Sequence, residues 1–207
     1  MPVYALGADV PSIHQDAWVH PDAVLIGRVE LGPEASVWPG AVLRADGGRI
    51  LVGARTSVQD GVVVHVGSDL DTVIGAGCVI GHVAHLEGCT VGDGALVGSG
   101  SVLLQRVEVG AGCVVGHLAH LEGCTVGDGA LIGSGSVLLQ RVLVGAGALV
   151  AAGAVLPPGT VVPALATARG VPATIVPDSV QPGAFEASAQ GYVERASRYA
   201  RQMRRVD

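Results

Sequence analysis

Four of the seven histidines in this chain fall within two near-identical stretches, GHVAHLEGC from Gly81 to Cys89 and GHLAHLEGC from Gly116 to Cys124. Each stretch carries a glutamate two residues past its second histidine. Imidazole nitrogens and a carboxylate held close together suit a divalent metal such as zinc, with coordination positions left open for water. The same groups also suit a structural His–Glu pair at a subunit interface, and residue types alone leave both readings open. The copies lie 35 residues apart, and the likeness runs over Ile74–Glu108 and Val109–Leu143, which differ at five positions, mostly Val/Ile/Leu exchanges such as Ile74/Val109 and Val83/Leu118.

The elements that must hold these groups follow from a second period. From about Ile26 an aliphatic residue recurs every six positions, as in Leu31, Val37 and Leu43, then Val52, Val58 and Val64, then Ile74, Ile80 and Leu86. Small residues such as Ala41, Thr56, Cys78 and Ala84 fall four places on. Neither a helix nor a simple alternating strand has a period of six; a parallel β-helix of hexapeptide repeats does, with three hexads per triangular coil. Leu86–Thr90 and Leu121–Thr125 are five-residue units, so the 35-residue duplication amounts to two whole coils added in register. The expected fold is therefore all-β: a left-handed parallel β-helix of about eight coils over 1–183, with residues 1–23 as an N-terminal lead-in or cap. The left hand comes from the likeness to the hexapeptide superfamily, not from the period. Arg169-Gly170-Val171-Pro172-Ala173 resembles the closing segment common in that superfamily. Beyond it, 184–207 is a C-terminal amphipathic helix packed alongside, with Tyr192, Ala196, Tyr199 and Met203 on one face and arginines elsewhere.

Stacking the hexads brings particular side chains into columns about 4.8 Å apart. One outward column reads Arg44, His65, Glu87, Leu104, Glu122, Leu139; another reads Pro39, Asp60, His82, Ser99, His117, Ser134. His65 and Glu87 become vertical neighbours, and His82 stands above Asp60 near the same edge. In the second copy Glu122 lies between Leu104 and Leu139, so His117, His120 and Glu122 lack an equivalent of His65.

Composition narrows the function. Aromatic residues are 3% of the chain, glycines number 32, and the net charge is −6 with every basic residue an arginine. A narrow, regular interior fits these values, and an acidic chain is a poor partner for nucleic acid. The N-terminus has no secretory pattern and no apolar run reaches membrane-spanning length, so a cytoplasmic protein without a membrane partner is expected. Cys78, Cys89, Cys113 and Cys124 are two positions duplicated and read as small buried hydrophobes. His14 and His20 read as surface residues.

Arg44-Ala45-Asp46, Val58-Gln59-Asp60-Gly61, His65 and Gly81-His82, in that order, resemble the gamma-class carbonic anhydrase family. The likeness spans from about residue 10 through the C-terminal helix, less one copy of the repeat; without that copy the chain would have 172 residues, a length usual for the family. The resemblance implies a homotrimer that binds zinc, or alternatively iron or cobalt, between subunits and hydrates CO2 to bicarbonate. By position it makes His65 a ligand from one chain and His82 the neighbour's ligand. It also implies that Arg44 and Asp46 pair across the trimer interface, that Asp60 is a carboxylate behind the ligands, and that Gln59 positions the reacting water. The chain departs from the family where the third histidine belongs, because that position is Glu87. Glu87 is then the third ligand, with His85 on the same side of the strand as its alternative, and a carboxylate ligand leaves the metal a poorer Lewis acid. Asp69 and Asp71, in the excursion 66–72, are where a proton shuttle is expected. Two rival readings are a non-catalytic metal-binding or engineered scaffold of the same fold, and a hexapeptide acyltransferase with a histidine base.

Overall fold

The computed structural model describes residues 2–67, 70–185, 190–204 and 206, with the helical residues 190–193 described by backbone alone. The described chain is a parallel β-solenoid with one short helix. Most strands are only two or three residues long, because each hexad supplies one strand and one corner. Parallel strands cannot close on themselves through tight hairpins, so each strand finds its partner one full turn of the chain later. The ladder shows this directly: Val63 N–H bonds to Ala84 O, His85 N–H to Ser101 O, and Val102 N–H to Ala119 O.

One face of the solenoid is a ten-stranded sheet that begins at Trp18–Val19 and ends in the antiparallel hairpin of Thr167–Arg169 with Thr174–Val176. The other two faces merge into a single sixteen-stranded sheet, since Val24–Leu31 and Val42–Val52 run round a corner without a break. The ten-stranded face without its antiparallel end strand has nine parallel rungs, so the solenoid has about nine turns rather than eight. The extra turn is the segment read as a cap. Val3–Tyr4 pairs with Leu25–Ile26, Ser12–Ile13 with Glu30–Leu31, and Trp18–Val19 with Ser36–Val37. Prolines and exposed polar residues hide the hexad pattern there because this turn has a neighbour on one side only.

The interior is a set of aliphatic columns. Leu43, Val64, Leu86, Leu103, Leu121, Leu138 and Leu156 stack in register, each with no exposed surface. Burying each such side chain contributes about 1.5–3 kcal/mol. All four cysteines are buried and unpaired, as expected from their column positions. Burial pushes the thiols of Cys89 and Cys124 up to about 12, which makes them unreactive packing groups.

The helix α1 spans Gln190–Gln202. It is shorter than the expected 184–207: Ala184, Phe185, Met203, Arg204 and Val206 are not helical, and residues 186–189, Arg205 and Asp207 lie outside the described set. Ala196 is buried, and the Tyr199 ring packs edge-on against Trp18 and Trp38 at 6.1 and 5.0 Å between centroids. Met203 is exposed, and the Tyr192 side chain is outside the described set. Among the described residues no helix is long and apolar enough to cross a membrane.

Because each rung touches only its neighbours, the duplicated coils can be removed as a unit. Deleting 109–143 joins Glu108 to Val144, and Val144 stacks in the same column as Val109, through Val126. The shortened chain is expected to keep a cooperative melt and an unchanged β-type circular dichroism spectrum per residue. A non-cooperative or unfolded product would show that the turns are not independent.

Candidate functional site

The first cluster sits at the outer ends of Val42–Val52, Val63–His65 and His85–Glu87, where Arg44, His65 and Glu87 occupy successive rungs of one column. Their inward neighbours Leu43, Val64 and Leu86 anchor each strand, so alternation turns Arg44, His65 and Glu87 outward. The column is as expected; its contacts add a residue. Asp46 Oδ1 lies 2.9 Å from His65 Nε2, and its other oxygen pairs with Arg44 Nη1 in the same chain. Arg44 and Asp46 are therefore bound to each other within the chain.

This contact fixes the state of the ring. An ionised Asp46 accepts, so a neutral His65 carries its proton on Nε2 and turns the Nδ1 lone pair the other way. Nδ1 faces Glu87 Oε2 at 3.7 Å, and His85 Nε2 stands 3.5 Å from the same oxygen. The carboxylate is oriented by Gln105, whose Nε2 donates to Glu87 Oε1 at 3.2 Å. A lone pair facing a carboxylate is stable only with a positive charge between them, either a proton on the ring or a cation. Two donors at 2.0–2.2 Å from a tetrahedral ion stand about 3.4 Å apart, which the His65–Glu87 gap accommodates. The Gln105 hydrogen bond, followed by His85 and His65, holds the Glu87 carboxyl below the usual range against its partial burial. Desolvation pushes Asp46 up, yet the His65 hydrogen bond and the Arg44 charge together hold it below the usual range.

The second cluster belongs to the corner that precedes the same face. The expected vertical column is present: Val83 N–H bonds to Asp60 O, Gly100 N–H to His82 O, and Leu118 N–H to Ser99 O. Gly81 allows the close rung spacing here, since a Cβ on it would lie 2.7 Å from Ser99 N. His82 Nδ1 is 3.0 Å from Asp60 Oδ2, so the neutral tautomer that an ionised Asp60 favours carries its proton on Nδ1 and leaves Nε2 bare. Gln59 is 4% exposed and lines, with Asp60, His82, Trp38, Pro39, Arg195 and Tyr199, a surface cleft of about 360 Å3.

The structure separates what the columns placed near one edge. His82, Asp60 and Gln59 stand at the start of the face that carries His85–Glu87, whereas His65 and Glu87 stand at its far end. The sequence columns gave height but not which corner each offset reaches. Among the described residues no three histidine, cysteine, aspartate or glutamate side chains of one chain form a metal-holding group. The expected shuttle residues also differ: Asp71 is taken by Arg49, whose backbone N–H and guanidinium bond to it at 2.8 and 2.9 Å, and Asp69 lies outside the described residues. The contacts of Asp46 with His65 and of Gln105 with Glu87 were missed. Their signal was present in the offsets of 19 and 18 residues, one turn apart.

Asp46 and Glu87 have folded-state values below their unfolded ones, so they stabilise the fold above the unfolded values and that contribution is lost as pH falls through the folded ones. The melting temperature is expected to decline below about pH 4. The double substitution Asp46→Asn, Glu87→Gln is expected to flatten that decline, and an unchanged acid limb would show that these contacts do not form.

Residues 71–105 and 106–140 each match the family model described as bacterial transferase hexapeptide (six repeats). The carnitine operon protein CaiE of Escherichia coli strain SMS-3-5 is 46% identical over 104 residues, covering 50% of this chain and 53% of the relative. The CaiE of Escherichia coli O157:H7 is 45% identical over the same length. The chain thus spans about half the length of the curated relatives it matches. Among solved structures, a hexapeptide transferase family protein from Anaplasma phagocytophilum is 29% identical with a TM-score of 0.55, covering 96% of this chain and 93% of that one. A UDP-N-acetylglucosamine acyltransferase at 19% identity and a TM-score of 0.58, covering 95% of this chain and 83% of that one, shares the fold. In repeat, register and architecture the chain is a parallel β-solenoid of hexapeptide repeats, two stretches of which match that family model.

Proposed function

We propose that the chain is a gamma carbonic anhydrase-like metalloprotein that assembles its site between identical copies. The observation that carries this reading is the pair of lone-pair atoms, His65 Nδ1 and Glu87 Oε2, turned toward one another 3.7 Å apart at the outer end of one face. At the opposite edge of that face His82 offers a bare Nε2 on an exposed ring. Each is half of a ligand set, and a symmetric neighbour supplies the other half. The donor set of two imidazoles and one carboxylate fits zinc, iron(II) or cobalt(II).

A cation held there would supply the acidified water that adds to CO2 and leaves as bicarbonate. The protein's own groups do the rest. Asp46 holds the proton on His65 Nε2 and so keeps Nδ1 free to bind. Asp60 does the same for His82, in the opposite sense, by holding the proton on Nδ1. Gln105 aims Glu87 Oε2, and His85 stands beside that oxygen as the alternative donor. Gln59, on the neighbour's side with His82, would hydrogen-bond the reacting water. Glu87 in place of a third histidine predicts slow turnover, since a carboxylate ligand weakens the Lewis acid.

One observation favours a second reading. The His82–Asp60 pair, with Nε2 open to the Trp38–Tyr199 cleft, has the form of a general base for an acceptor hydroxyl, which suits acyl transfer from a thioester. In that case His82 would take the hydroxyl proton as its oxygen attacks the thioester carbonyl and the thiol leaves.

Metal analysis of purified protein, followed by CO2 hydration and thioester cleavage assays, separates the two. The first reading expects about one zinc or iron per chain, lost in His65→Ala and in His82→Ala, with hydration lost in parallel. It also expects Glu87→His to raise hydration per bound metal. A chain that takes up no metal, yet cleaves a coenzyme A thioester in a manner dependent on His82 and indifferent to His65, would overturn it in favour of the second.

A further inference from the structure

The second copy repeats the geometry of the first with two changes that reverse its chemistry. His117 stands two rungs above His82, and His120 and Glu122 two rungs above His85 and Glu87, a rise of about 10 Å. Exposure repeats too: His82 and His117 are exposed, while His85, His120, Glu87 and Glu122 are half-buried. What differs is the residue beneath the exposed histidine, Asp60 in the first copy and Ser99 in the second. The Ser99 backbone N–H donates to His117 Nδ1 at 2.9 Å. A backbone amide can only donate, so Nδ1 must accept, and the proton of a neutral His117 is on Nε2. His82 therefore presents a lone pair to the outside and His117 presents an N–H. The receiving edge differs in the same direction. Glu122 has Leu104 in the rung below, where Glu87 has His65, so its carboxylate meets no second lone pair. Two ligands have become a donor and an acceptor.

A rotation axis parallel to the solenoid moves every rung sideways by the same amount. A neighbour placed to bring its His82 to His65 and Glu87 must then bring its His117 to Glu122, because both partners are displaced by the same two turns. We propose that the second copy is an association seam, in which His117 donates its Nε2–H to Glu122 of an identical neighbour about 10 Å along the axis from the metal-binding set. Val83 and Leu118 mark the same edge. They are 65% and 70% exposed with φ of 52° and 58°, a backbone region where large aliphatic residues are rare, and they project from the corners beside His82 and His117. On the receiving edge, Gly123 separates Arg106 from Arg141 in an open groove of about 670 Å3 that also contains Glu87 and Glu122. Projections on one edge and a groove on the other, both spanning the same two turns, fit a second copy of this chain. The proposal rests on the intersubunit reading of the first copy, while its hydrogen bond requires no metal.

The test is the concentration dependence of molecular mass by light scattering, with metal content measured on the same samples. His117→Ala and Glu122→Ala are each expected to weaken association roughly tenfold, and the double variant no more than either alone, because one bond is lost in all three. His117→Gln, whose amide keeps a donor, is expected to recover part of the loss. Metal per chain stays at the parent value in the assembled state. Unchanged association in both single variants, additive losses in the double, or a monomeric parent overturns the seam. A second equivalent of metal that His117→Ala removes overturns it as well. A parent that holds no metal but shows the expected association losses supports the seam and sinks the carbonic anhydrase reading alone.

Discussion

Everything in this molecule depends on the parallel register of one turn upon the next. A hydrogen bond such as that from His85 N–H to Ser101 O ties one turn to the next, and the register it sets places His85 and Val102 in one column. The aliphatic columns then hold the register, since a slip by one residue would turn Leu86 out and His85 in. Glu87 stands over His65 because Leu86 stands over Val64. The chemistry at the surface is set by packing in the core.

That constraint also explains why a 35-residue duplication is compatible with the fold. A repeat equal to two turns leaves every column continuous, and each added rung makes the contacts that the displaced rung made. The duplication nonetheless does not duplicate the chemistry. The residues that prepare a histidine or glutamate lie one turn away, outside the copied segment or changed in kind: Asp60 and His65 precede Ile74, and the positions beneath the second copy are Ser99 and Leu104. Copying a ligand without the residue beneath it changes the proton's location, and with it the group's role.

The architecture was legible because a period of six has few physical solutions, and the columns read from it are those seen, including Arg44, His65 and Glu87. The N-terminal turn was not legible, since a terminal rung needs only one apolar neighbour and tolerates Pro2, Pro11 and Pro21. Which corner each outward residue occupies was also hidden, because hexad counting orders residues by height and leaves their angle about the axis loosely defined. Hexad counting therefore set His82 near the edge of His65, whereas the two stand at opposite ends of one face of the chain. The tautomers are a further step removed, as they depend on contacts such as Asp46 with His65 and Ser99 N–H with His117 that only coordinates give.

The central claim is that half of each site comes from one chain and half from its neighbour. The most direct measurement mixes two variants that each lack one half, His65→Ala and His82→Ala, by unfolding and refolding them together before metal loading. Random assembly pairs an intact His65 edge with an intact His82 corner at about a quarter of the interfaces, so about a quarter of the parent's metal content should return. If the mixture binds no more metal than the separate variants, the two halves are not shared between chains and the account is wrong.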